Sequence, residues 1–152
     1  MAINVIFFVV PVLLNQFDYI LDAYCVHGPS IRAGQYYRII TGTLLHGGLV
    51  HLLFNNYSLY VLGSQLEGFF GKAKFAIIYI FSAICGSFLS ITFSQGAGSV
   101  GASGAIFGLM GSLLYFGFYY RVYLGQVVKT QILPLVILNL GMGFLTPGID
   151  NF

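Results

Sequence analysis

Charge is nearly missing from this sequence: its 152 residues include six Lys and Arg and four Asp and Glu, 7% of the chain. So few charges cannot solvate the surface of an ordinary water-soluble domain. With a net charge of +2 and no basic run, the chain also offers no footprint for nucleic acid. Cysteine is scarce as well. Cys25 and Cys85 lie far apart, neither in a C-x-x-C pair, so no disulfide framework is expected. Three histidines without H-E-x-x-H, and without a carboxylate at ligand spacing, leave no expected metal or cofactor site.

What is present is apolar. Hydrophobic residues make up 58% of the chain and mean hydropathy is +0.89, which assigns it to a membrane. A helical span needs about 20 mainly apolar residues. Runs of that kind occupy 2–20, 49–66, 73–93, 103–120 and 128–146, so the expected fold is all-α, a polytopic membrane helix bundle in one domain covering 1–152. Asn15, Gln16 and Asp18 interrupt the first run. That run has neither a basic leader nor a small-residue cleavage site, so it reads as a span and not as a signal peptide. Lys72 and Lys74 fall between the second and third runs, and Arg121 and Lys129 between the fourth and fifth. Cationic loops face the cytoplasm, so the N-terminus is expected inside and Asp150 and Phe152 outside. Arg32 and Arg38 in the long first loop run against this pattern, with Asp18 and Asp22 close by.

Polar residues inside such runs need a partner or a wet cavity, because an uncompensated polar group in hydrocarbon costs up to several kcal/mol. In the second run His51 and Asn55 are four residues apart and project from one helical face. They suit either an interhelical hydrogen bond or a pair of donors aimed at one point. His46, five residues before His51, falls on another face, where pinning the first loop is the expected role. In "GSVGASGAIFGLMG", residues 98–111, Gly104, Gly108 and Gly111 form a smooth stripe that matches Ser82, Gly86 and Ser90 in the third run. Ser103 stands beside that stripe at a helix start, where a serine caps the helix or serves as a nucleophile. A soluble α/β-hydrolase elbow is excluded, since Ala105 stands where G-x-S-x-G requires glycine. A serine attacking a carbonyl needs preorganised donors for the oxyanion, and His51, Asn55 and the Ser103 backbone N–H are such a set.

"HGGLVHLLFNN", "GSQLEGFFG" and "GASGAIFGLMG" together resemble the rhomboid family of intramembrane serine proteases, from about Gly34 to Asn151. His46, His51 and Asn55 match H-x4-H-x3-N, Glu67 and Gly71 match E-x3-G, and Gly101, Ser103 and Gly104 match G-x-S-G. Arg38 matches the arginine of the first-loop W-R motif, where Tyr37 replaces the tryptophan. The resemblance implies a six-helix bundle with a short central fourth helix, five of the six transmembrane helices being present here. It implies Ser103 as nucleophile, His51 and Asn55 as the oxyanion hole, and His46, Gly101 and Phe107 in support, Phe107 at the aromatic position four after the serine. The base would be a histidine on a sixth helix, and the sequence stops at Phe152 before one, so the 152 residues alone are expected to be inactive. His27 is the remaining histidine and is expected at the surface. The implied partners are the lipid bilayer and membrane proteins with helix-destabilised transmembrane segments, in a bacterial plasma membrane. A rhomboid-like protein that binds membrane clients without cutting them, and a channel or transporter subunit, stay open at this point.

Overall fold

The computed structural model of the chain describes residues 1–93 and 97–145. The end of the fifth expected span, with Asp150 and Phe152, lies outside them. Among the described residues there are helices and no strands: α1 (Ala2–Leu13), α2 (Phe17–Tyr24), α3 (Gly28–Arg32), α4 (Arg38–Thr41), α5 (Leu49–Phe70), α6 (Lys72–Phe93), α7 (Ser103–Tyr119), α8 (Arg121–Val127), a π-helical turn (Val128–Ile132) and α9 (Leu133–Leu145).

The expected first span, 2–20, is two helices. Pro11 has no N–H to continue the ladder, and Asn15, at φ 53, turns the chain left-handed before Phe17 opens α2. α1 is 12 residues, about 18 Å long. Its one buried polar side chain, Asn4, donates from Nδ2 to Asn56 Oδ1 of α5 at 3.2 Å.

α5 runs past the expected 66 to Phe70 because glycine, and not hydropathy, ends it. Gly71 adopts φ 80, a conformation that favours glycine, and its N–H bonds the Glu67 carbonyl at 2.8 Å. α6 begins at the next residue, so the E-x3-G spacing is a helical hairpin. Phe69 and Phe70 at the end of α5 lie 5.3 and 4.7 Å from Phe116 near the end of α7. Lys72, Lys74 and Arg121 therefore gather at one end of the bundle, opposite the end where Ser103 opens α7.

Two helical stretches, Lys72–Phe93 and Leu124–Gly141, are long and apolar enough to cross a membrane on their own among the described residues. α7 is shorter but central. Ile106, Leu109, Met110 and Leu113 recur at helical spacing, are at most 2% exposed, and pack on Leu59, Leu62 and Leu66 of α5. α5 is less apolar because it carries amides and hydroxyls that tie it to its neighbours. Asn139 Nδ2 donates to Ser58 Oγ at 2.9 Å and Gln65 Nε2 to Gln131 Oε1 at 3.0 Å. Bonds of this kind hold helices together where lipid offers no hydrophobic drive. Outward, Ile77, Ile80, Phe81, Phe88 and Phe93 of α6 are more than half exposed, as a lipid-facing surface requires.

α6 and α7 touch through glycine. A methyl on Gly86 would stand 2.8 Å from Gly104 Cα, and one on Gly108 would overlap the Ser82 side chain. Gly111, expected in the same stripe, faces open space: nothing lies within 4 Å of an added methyl.

Candidate functional site

Two elements and one turn build the candidate site: α5 carries His51 and Asn55, α7 opens at Ser103, and Gly101 lies between them in the turn that enters α7. Gly101 adopts φ 126, which side-chain-bearing residues rarely adopt. A methyl built on it would stand 2.8 Å from His51 Nε2, 2.9 Å from His51 Cε1 and 3.7 Å from Ser103 Oγ. The imidazole and the hydroxyl thus flank a single point, kept open because residue 101 has no side chain.

Capping does not account for Ser103. The N-cap of α7 is Ala102, and Ser103 is the first residue inside the helix, without a side-chain cap. Its half-buried hydroxyl makes no hydrogen bond among the described residues, and it lines a crevice of about 20 Å³, room for about one water, with Ser87, Ser90, Ser99 and Val100. The first turn of a helix also presents unsatisfied backbone N–H groups beside that hydroxyl.

Asn55, buried at 5% exposure, lies one turn along α5 from His51, but its amide turns back on the helix: Nδ2 donates to the His51 carbonyl at 2.9 Å. Its Oδ1 and the Nε2 atoms of His51 and His46 are buried without a partner. His46 is 1% exposed and sets its ring edge-on to His51, centroids 5.2 Å apart. Its Nδ1 donates to the Leu44 carbonyl at 3.2 Å, a bond within the first loop. Phe107 packs beside the core and lines an apolar groove of about 400 Å³ with Ser82, Cys85, Gly86, Leu89 and Gly104. His27 bonds Ser30 through Nδ1 at 2.8 Å, at the start of α3. No cluster of metal-ligating side chains occurs among the described residues.

Arg38 shows why a cation sits in the first loop against the charge pattern of the others. It is 8% exposed, and its guanidinium donates to the carbonyls of Asp22 at 2.7 Å and Cys25 at 3.2 Å and to Gln35 Oε1 at 2.6 Å. It acts as an internal tie for the loop. Burial pushes the neighbouring Cys25 thiol up, against the pull of Arg38, which makes it an inert packing group. Both cysteines are free.

His46 precedes the α5 span, and burial, reinforced by His51, lowers its pKa from 6.5 to about 4. A folded-state pKa below the unfolded one gives stability that is complete above pH 6.5 and is lost as the pH falls toward 4. The contribution is on the order of 3 kcal/mol. Melting in detergent at pH 7.5 and 4.5 is expected to show a smaller loss for His46→Asn than for the unsubstituted protein. An equal loss in both would assign the acid lability to other groups.

Sequence comparison sets this geometry beside known proteins. A family model described as Rhomboid domain matches residues 33–152. The chain is 40% identical to rhomboid protease GluP of Bacillus subtilis over 121 residues, 80% of this chain and 24% of that protein. It is 40% identical to RHOMBOID-like protein 4 of Arabidopsis thaliana over 124 residues, 80% and 31% of the two chains. It is 39% identical to RHOMBOID-like protein 7 of the same plant over 127 residues, 82% and 40%. The chain thus spans a quarter to two fifths of the length of these relatives.

Proposed function

The chain belongs to the rhomboid family of integral membrane proteins, and on that premise we propose that it is the catalytic portion of an intramembrane serine endopeptidase with Ser103 as nucleophile. The observation that carries this reading is the unengaged Ser103 hydroxyl beside the His51 imidazole, on either side of the point that Gly101 leaves open.

Ser103 Oγ attacks the carbonyl carbon of a peptide bond as its proton passes to a histidine carried on a sixth helix. The carbonyl oxygen becomes an oxyanion, held by His51, the second N–H of the Asn55 amide, whose first is bonded to the His51 carbonyl, and the Ser103 backbone N–H, of which one good donor supplies about 3 to 4 kcal/mol. Collapse expels the amine with the proton that the base holds, and water then releases the acyl group by the same route. The site end of the bundle faces the outer side. The substrates are transmembrane segments that unwind near that face, since an intact helix hides its peptide bonds from attack.

The test is covalent labelling of the full-length protein, sixth helix included and purified from membranes, with a fluorophosphonate probe. Labelling is expected to vanish in Ser103→Ala and to persist in Ser112→Ala, whose hydroxyl is bonded to the Gly108 carbonyl at 2.9 Å. Equal labelling of the two variants would end the nucleophile assignment.

A further inference from the structure

The turn that leads into Ser103 is held from outside by the first loop. Val26, which follows α2, forms a two-bond bridge with Ser99: Val26 N–H to the Ser99 carbonyl and Ser99 N–H to the Val26 carbonyl, both 2.9 Å. Two residues on, Gly101 N–H donates to the Gly42 carbonyl at 3.0 Å, and Gly42 N–H donates to the Arg38 carbonyl at 3.2 Å. Arg38 closes the circuit, because its guanidinium binds the carbonyl of Cys25, next to Val26. The frame rests on α6, where Ser87 Oγ donates to the Ile39 carbonyl of α4 at 2.8 Å. The parts fit closely: Val26 is 4% exposed, and a methyl on Gly42 would stand 2.6 Å from Val26 N.

We propose that Val26 is a positioning residue for the chemistry at Ser103: its backbone bridge to Ser99, with the Gly42 carbonyl, fixes the turn through Gly101 and so sets His51 against the Ser103 hydroxyl. The inference rests on the serine-nucleophile reading. The Gly101 N–H, engaged by Gly42, is removed from the oxyanion donors, so residue 101 acts by its place and not by a hydrogen bond to substrate.

Val26→Pro tests this. Proline deletes the Val26 N–H and keeps its carbonyl, and Cys25 at ψ 159 already has the extended conformation that a following proline requires. Val26→Ala keeps both bonds. In membrane-purified protein, the maximal fluorophosphonate labelling rate at Ser103 is expected to fall about tenfold or more in Val26→Pro, as for a reacting group moved by a fraction of an ångström. The probe concentration at half-maximal rate should stay unchanged, as should the labelling rate in Val26→Ala. Hydrogen exchange over residues 97–103 is expected to accelerate in the proline variant only. Val26→Pro labelled at the unsubstituted rate overturns the proposal, whether exchange rises or not. No labelling of the unsubstituted protein overturns the Ser103 reading first, and the positioning role with it. Should the proline variant fail to fold, Gly42→Ala opens the same bridge by steric contact at Val26 N and is read the same way.

Discussion

Gly101→Ala is expected to lower kcat/KM for peptide cleavage at Ser103 by about 1,000-fold while the helices stay folded. Two costs act together. Alanine at φ 126 carries backbone strain of about 1 to 3 kcal/mol, which the turn relieves only by moving. The new methyl also stands 2.8 Å from His51 Nε2 and must displace an imidazole that is packed edge-on to the buried His46 ring. The expected loss combines a displaced oxyanion donor, about 3 to 4 kcal/mol, with misplacement of the attacking hydroxyl. Gly48→Ala is the control, since its backbone is extended and nothing lies within 4 Å of an added methyl. Far-ultraviolet circular dichroism, melting and cleavage of a transmembrane-segment reporter separate folding from reaction. If Gly101→Ala keeps activity within about threefold of the parent, less than 1 kcal/mol, the point between His51 and Ser103 is not where the carbonyl reacts.

The second large effect is on stability. Gly86→Val is expected to destabilise the bundle by about 3 kcal/mol, because the first carbon of the new side chain would stand 2.8 Å from Gly104 Cα. That obstacle is backbone, which cannot rotate aside, so α6 and α7 must part along the seam that includes Ser82 and Gly108. Parting them loses close contacts that no hydrophobic drive replaces inside a bilayer. Gly111→Ala, on the open face of α7, is expected to be neutral or slightly stabilising. Unfolding in mixed micelles measures both. A Gly86→Val loss no greater than that of Gly111→Ala would mean that the α6–α7 seam is not the structural joint. Ser103 opens the helix that such a separation tilts, so Gly86→Val should also slow probe labelling without touching the reacting groups.

Much of the bundle was legible because a bilayer makes long apolar runs unambiguous. α6 begins one residue before the expected run at 73 and ends with it at Phe93, and α7 ends one residue before the expected 120. The first run misled because hydropathy averages over a break: Pro11 and Asn15 act locally, and a left-handed residue leaves no trace in a 20-residue window. Spacing marked the face shared by His51 and Asn55 but not the turn of the Asn55 amide onto the His51 carbonyl, a bond back onto the preceding helical turn that competes with outward-facing rotamers of the same residue. Periodicity likewise could not separate Gly108, pressed on Ser82, from Gly111, which touches nothing. Which glycine meets the neighbouring helix depends on how the pair packs.

What the sequence by itself determined is the class of molecule, apolar helices too poor in charge for water, and the candidate residues for the proposed chemistry, Ser103 and His51. The first follows from composition and the second from motif spacing, neither of which the fold can alter. Tertiary structure alone decided that the Ser103 hydroxyl caps nothing, that Arg38 is buried among carbonyls, and that Val26 and Gly42 hold the turn before the serine. The last of these depends on backbone groups, which every residue carries alike, brought together across more than fifty positions by the packing of α4 on α6.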